Sequence, residues 1–201
     1  MRVSVIDYKA GNLTSVLKTL HHLGAETQVT DGDLSLVDSA ERIVLPGVGH
    51  FAATQRLDAT GLTGAVRAAI ARGVPFLGIC VGMQWLYAGS TEAPSQPGLS
   101  VFPETCTRFP EGYEKVPHVG WNSLEPRAGS RLFSGVKSGE FVYFTHSFKG
   151  PVTEDTAAVT QYIQPFAAAV ERENVFGVQF HPEKSGETGL KILRSFLEIE
   201  R

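Results

Sequence analysis

Short apolar runs that stop at glycine or proline and hand over to helical patterns set the strongest limit on how this chain can fold. "RVSVIDY" (residues 2–8) is β-branched and gives way to "KAGN"; Leu13, Val16, Leu17, Leu20 and Leu23 then fall at helical spacing, closed by Gly24. "ETQVT" reads as a second strand. "RIVLPG" (42–47) is a third, halted by Pro46 and Gly47, and Leu62, Val66, Ala69 and Ile70 mark a helix that ends at Gly73. "PFLGI" is the next strand, and "VGMQWLYAG" reads as the helix after it. Strands that are apolar almost throughout are buried on both faces. The alternation therefore predicts an α/β fold with an open, mostly parallel sheet flanked by helices.

The second half changes character. Residues 90–98 form a Ser/Pro-containing loop, and from "LSVFPE" to "VFGVQF" most segments read as strands separated by the turns "FPEGYE", "EPRAGS", "VKSG" and "ERENV". These are expected to add antiparallel strands to the parallel core. A terminal helix carries a Leu190, Leu193, Leu197 stripe flanked by Ile192 and Phe196. No repeat or linker interrupts the pattern, so one domain over residues 1–201 is expected.

The 201 residues suffice for a substantial core, and a net charge of -3 with 19% charged residues offers no single-sign field for nucleic acid or a membrane surface. No apolar run is long enough to cross a bilayer, and "MRVSVIDYKAGN" lacks the long apolar region of a signal peptide. A cytoplasmic protein is the expectation. Two cysteines, Cys80 and Cys106, rule out a disulfide framework.

The chemistry is expected at strand ends. Gly78-Ile79-Cys80-Val81-Gly82 fits a G-x-nucleophile-x-G elbow, a tight strand-to-helix turn that exposes its middle residue and points helix N–H groups at it. By itself the pattern reads equally well as a small buried cysteine in a glycine-rich contact. A nucleophile needs a base. His21 and His22 fall inside the first helix, His50 follows "PGVG", and His118 and His146 lie in the strand-rich half. His181 ends the run "VFGVQF", is followed by Pro182, and has Glu183 two residues on to fix its tautomer. Alone it would read as an ordinary turn histidine. A third element, "LPGVGHF", has glycines that free backbone N–H groups of the Val48–Gly49 turn toward a bound carbonyl. Nucleophile, oriented base and oxyanion donors at the ends of three strands are the components of acyl transfer through a thioester.

At these residues the chain resembles the class I (triad) glutamine amidotransferases, and the likeness runs through the whole sequence in order. "DYKAGNLTSV", "KVPHVGWN", "YFTHSF" and "HPEKSG" narrow it to the glutaminases that serve imidazole glycerol phosphate synthase in histidine biosynthesis. The resemblance implies that Cys80 attacks the side-chain amide of glutamine, His181 shuttles the proton, Glu183 orients His181, and the N–H groups of Val81 and of the Val48–Gly49 turn hold the oxyanion. It implies glutamine contacts from Gln84, Glu92, Ser147 and Phe148. It also implies a heterodimer with a cyclase subunit, which receives the ammonia, with Asn12, Trp121, Asn122, Tyr143 and Lys184 at the interface. It implies no cofactor and no metal, and Cys106 is read as structural.

Four letters depart from the family pattern: Lys9 for a usual glycine, Val81 and Trp85 for common leucines, and Phe148 for a frequent tyrosine. Three other readings stand beside the first. A glutaminase serving pyridoxal phosphate synthesis would not need "KVPHVGWN" or "HPEKSG". A free cysteine hydrolase would not need the "PGVG" turn together with His-Pro-Glu. A non-catalytic module would be expected to have lost one of Cys80, His181 or Glu183.

Overall fold

The computed structural model describes residues 1–10, 12–112 and 114–200. The portions of the "KAGN" and "FPEGYE" turns that fall on Gly11 and Tyr113 lie outside the described residues. The elements run β1 (Arg2–Ile6), α1 (Leu13–His22), β2 (Glu26–Thr30), α2 (Leu34–Asp38), β3 (Arg42–Gly47), α3 (Gln55–Ala59), α4 (Leu62–Ala71), β4 (Phe76–Cys80), α5 (Val81–Gln84) and β5 (Tyr87–Ser90). They continue with β6 (Phe102–Arg108), β7 (His118–Ser123), β8 (Glu125–Pro126), β9 (Phe141–His146), β10 (Phe148–Lys149), β11 (Thr156–Tyr162), β12 (Gln164–Arg172), β13 (Val175–Val178) and α6 (Gly186–Glu198). Single 3₁₀ turns at Phe51–Thr54 and Pro182–Lys184 follow β3 and β13.

Among the described residues the main sheet has eight strands in the order β2-β1-β3-β4-β13-β12-β11-β8. β2, β1, β3, β4 and β13 are mutually parallel, and β12, β11 and β8 continue antiparallel. This is the predicted class, an open mostly parallel sheet with added antiparallel strands. Val3, Val5, Ile43, Val44, Leu45, Phe76 and Leu77 are fully buried, as strands covered on both faces require. In α1, Val16 and Leu20 face this core. The stripe of α6 is centred on Gly189, Ile192, Leu193, Phe196 and Leu197, so Leu190 sits at its edge rather than its middle.

Two expectations are corrected. "VGMQWLYAG" is not one helix: α5 ends at Gln84, and Tyr87–Ser90 is a strand. The reason is tertiary. The Trp85 and Tyr87 carbonyls accept from Leu99 and Ser100 N–H at 2.6 and 3.1 Å, and Ala88 accepts from Gly98 at 2.9 Å, so that backbone is claimed by the following loop. The second concerns "VFGVQF", expected among the antiparallel additions. β13 belongs to the parallel core, with Gly177 opposite Gly78 and Val178 opposite Ile79. A long excursion through β5–β12 returns the chain to the strand beside Cys80. Two smaller sheets, β10-β6-β5 and β7-β9, lie along this excursion.

Candidate active site

β3, β4 and β13 are adjacent and parallel, so their carboxyl ends meet at one rim, the usual place for sites in open α/β sheets. Gly47 is opposite Cys80 in the β3/β4 register. Cys80 has φ 54°, ψ -108°, a strained backbone for a residue with a Cβ. Its flanking glycines are sterically required. A Cβ on Gly78 would overlap the Gly82 carbonyl, one on Gly82 would overlap the Leu45 carbonyl, and one on Gly47 would overlap the Tyr8 hydroxyl. The elbow therefore lies flush on β3 and β4. A single helical turn carries little macrodipole, so what α5 supplies is local: the Val81 N–H, which helix geometry leaves without an intrahelical acceptor.

His181 is 1% exposed, and its Nδ1 lies 2.9 Å from Glu183 Oε1. Glu183 Oε1 also accepts from Asn12 Nδ2. The His181 Nε2 has no hydrogen-bond partner among the described residues. Burial works against the imidazolium, but the nearby Cys80 sulfur and the Glu183 carboxylate outweigh it and push the His181 pKa up to about 9. Its backbone is fixed as well: the His181 N–H donates to the Tyr143 carbonyl at 2.9 Å, and its carbonyl accepts from Ser185 Oγ at 2.6 Å.

Around Cys80 is a cleft of about 260 Å³ whose wall includes Val48, Gly49, Val81, Gln84, Glu92, His146, Ser147 and Phe148. The expected oxyanion and substrate positions therefore surround one cavity together with the expected nucleophile. Within it, Gln84 Nε2 donates to the Phe148 carbonyl and to Gln179 Oε1, both at 3.1 Å, and Glu92 accepts from the Phe51 N–H at 2.7 Å. The Val48 N–H is bonded to the Ala10 carbonyl at 3.1 Å. Of the turn, the Gly49 amide is the one without an acceptor among the described residues, at φ 115°, where only glycine sits without strain. Larger grooves lie elsewhere, about 550 Å³ beside α6 and about 620 Å³ beside Val119 and Tyr162, and neither brings a cysteine to a histidine.

Two residues of this site were not read from the sequence. Gln179 is fully buried, and its Nε2 reaches the Cys80 sulfur at 3.6 Å; its signal was a lone amide in an otherwise apolar strand end. Tyr8 packs its hydroxyl over Gly47 without a partner among the described residues, and burial, then the nearby Cys80, keep the phenol protonated. Cys106 is fully buried with its thiol pushed up by that burial, in keeping with a packing role. Trp85 is also buried, 6.2 Å from the Phe76 ring beneath the elbow. Lys9 adopts φ 64°, the conformation that favours glycine there, and is held by Asp7 and Asp31 at 2.9 and 3.0 Å.

The residues expected at an interface cluster as well. Trp121 and Tyr143 pair across β7/β9 with rings 6.1 Å apart, Lys184 Nζ lies 6.0 Å over the Tyr143 ring, and Trp121 is 55% exposed. Asn12 turns inward to Glu183, and Asn122 donates to the Gln161 carbonyl at 3.0 Å.

The model of the family "Glutamine amidotransferase class-I" matches residues 4–199. The chain is 43% identical over 200 residues to an imidazole glycerol phosphate synthase subunit HisH of Caldanaerobacter subterraneus, covering 98% of each. It is 44% identical over 203 residues to the protein of that name from Moorella thermoacetica, covering 99% of this chain and 95% of the relative. A solved glutamine amidotransferase superposes with a TM-score of 0.76 at 20% identity, over 98% of this chain and 97% of that one. The cysteine elbow and the His-x-Glu that β13 carries to its side are thus set in a chain that belongs to the class-I glutamine amidotransferases.

Proposed function

We propose that this chain is the glutaminase subunit of an imidazole glycerol phosphate synthase, acting through Cys80, His181 and Glu183. The observation that carries the proposal is the buried His181. One ring nitrogen is on Glu183, the other lacks a partner among the described residues, and β13 pairs in parallel with β4, so His181 follows the strand end beside the one that carries Cys80. Full-length likeness to proteins named as this subunit supports the choice of reaction.

The Cys80 thiolate attacks the side-chain carbonyl carbon of glutamine. The C=O electron pair moves to oxygen, where the Val81 N–H and a turn amide receive it. Collapse breaks the C–N bond as His181 Nε2 delivers a proton to the leaving nitrogen, giving ammonia and a glutamyl thioester. Water then attacks with His181 as base, the C–S bond breaks, and glutamate leaves. Gln179 is a further donor to the sulfur. Glu92 faces the cleft as a carboxylate suited to an α-ammonium, and Gln84 and the Ser147–Phe148 backbone complete the glutamine site.

Ammonia passes to a cyclase subunit that makes imidazole glycerol phosphate and aminoimidazole carboxamide ribotide. Val119, Trp121 and Phe141, each more than half exposed on the outer face of β7–β9, are the apolar part of the docking surface. The Tyr143 carbonyl that holds His181 belongs to the same two-stranded sheet. Freeing the Val48 N–H from the Ala10 carbonyl requires the Gly47–Val48 peptide to turn, so an isolated subunit that keeps this bond has only the Gly49 amide of the turn to offer and is expected to turn over glutamine slowly. The test is Cys80→Ala in the complex. Glutamine-dependent synthesis should vanish while ammonia-dependent synthesis persists; residual glutamine hydrolysis at the wild-type rate would refute the assignment.

A further inference from the structure

His118 and His146 belong to neither the proposed nucleophile nor its base, yet both are buried and hydrogen-bonded in series. Asn122 Nδ2 lies 3.3 Å from His118 Nε2, His118 Nδ1 lies 3.1 Å from His146 Nε2, and His146 Nδ1 lies 2.9 Å from the Phe148 carbonyl oxygen. Both ends of this series have fixed polarity. At the outer end, the Ser123 N–H donates to Asn122 Oδ1 at 2.8 Å and Asn122 Nδ2 donates to the Gln161 carbonyl, so the amide has one orientation and presents N–H to His118. At the inner end a carbonyl can only accept. Each ring therefore accepts at Nε2 and donates at Nδ1. A proton on either Nε2 would set N–H against N–H.

The surroundings support neutral rings. His118 is stacked between Tyr162, 3.9 Å away, and Phe144, 4.8 Å away. Burial pushes the His118 pKa down to about 4, against the pull of Glu114. Burial pushes His146 down to about 3; His118, His181 and Lys149 add to that, and the Phe148 carbonyl opposes it. The Phe148 carbonyl also accepts from Gln84, so the inner end fixes the Ser147–Phe148 segment against the cleft wall.

We propose that Asn122, His118 and His146 form a tautomer-locked relay of positioning residues that sets the Phe148 carbonyl, and with it the Ser147–Phe148 wall of the glutamine cleft, from the outer end of β7. This rests on the reading of the cleft as a glutamine site. The relay makes a prediction about a residue that never touches substrate. Asn122→Asp replaces the outer donor by an acceptor. Both rings must then reverse, leaving a nitrogen lone pair against the Phe148 carbonyl. Asn122→Ala removes the donor without reversing anything.

Long-range ¹H–¹⁵N imidazole spectra of the full chain should show His118 and His146 as neutral Nδ1–H tautomers at pH 7 and still at pH 5. Either ring found as Nε2–H or as a cation at pH 7 overturns the relay, and this measurement needs no variant. In the complex at saturating cyclase, Asn122→Asp should raise the KM for glutamine about tenfold with kcat little changed, the cost of one hydrogen bond made repulsive. Asn122→Ala should change it far less, and the cyclase affinity of each variant, measured separately, distinguishes a docking defect from a change in the glutamine cleft. His146→Asn, whose amide can donate from the Nδ1 position, should recover most of what His146→Leu loses. Reversed tautomers with an unchanged KM would overturn the positioning role. A wild-type complex that leaves glutamine intact would instead overturn the proposed function, with the tautomer measurement still deciding the relay.

Discussion

Glu183 determines which proton His181 carries. Its carboxylate is buried, shared with Asn12, and 2.9 Å from His181 Nδ1, so it both fixes the tautomer and supplies the counter-charge for an imidazolium. Glu183→Gln keeps the shape and removes the charge. It should lower the His181 pKa from about 9 and reduce kcat by about 10²- to 10⁴-fold with little change in fold. The checks are imidazole titration by NMR and glutaminase kinetics in the complex; a kcat within twofold of wild type would contradict the role. Cys80, His181 and Glu183 were legible because their chemistry is local: a glycine elbow, a strand stop, a carboxylate two residues on. Gln179 and Tyr8 were not, because what they touch is decided by register between strands far apart in sequence. Trp85, a departure from the family letter, became intelligible only as a ring packed beneath the elbow.

The elbow and the "PGVG" turn use glycine for different reasons, and substitution separates them. At Gly78 a Cβ collides with backbone, so Gly78→Ala should cost about 3 kcal/mol or more in urea-denaturation stability. At Gly49 nothing lies within 4 Å of an added Cβ, but φ is 115°, so Gly49→Ala should cost about 1–3 kcal/mol of backbone strain or turn the peptide. Its larger effect should be on glutaminase rate. Equal stability losses and unchanged activity at Gly49 would contradict this division. The parallel core was readable in β1, β3 and β4 because each is a mostly apolar run, whereas β2, "ETQVT", is polar and is marked only by its β-branched residues. β13 is as apolar, yet its place in the parallel core is not legible from the sequence, since periodicity shows that a strand is buried and not which strand it pairs with. The apolar spacing of Trp85 to Gly89 matches a helix, but pairing of Tyr87–Ser90 with β6, together with the backbone bonds from Gly98 to Ser100, makes that stretch a strand.

For the whole molecule, three histidines should shape stability against pH with opposite signs. His118 and His146 have folded pKa values below the usual 6.5, so the unfolded chain takes up protons first as pH falls. Stability should drop from pH 6.5 downward by up to about 1.4 kcal/mol per pH unit for each ring. His181 is raised to about 9, so its contribution is complete below pH 6.5 and is lost as pH rises toward 9. Urea midpoints between pH 5 and 9 should peak near neutrality, and Glu183→Gln should shrink the alkaline limb alone, leaving the part that Cys80 supplies. An alkaline limb identical in wild type and variant would contradict the coupling.

The whole molecule also brings together elements separated by a hundred residues, and the central claim is that they make Cys80 the nucleophile for glutamine. The direct measurement is covalent trapping. The complex with its cyclase is treated with a diazo-ketone analogue of glutamine, and the labelled peptide is identified by mass spectrometry with and without competing glutamine. A single label on Cys80, suppressed by glutamine, is the predicted result. Labelling at Cys106, or labelling of Cys80 that glutamine does not suppress, would contradict the account.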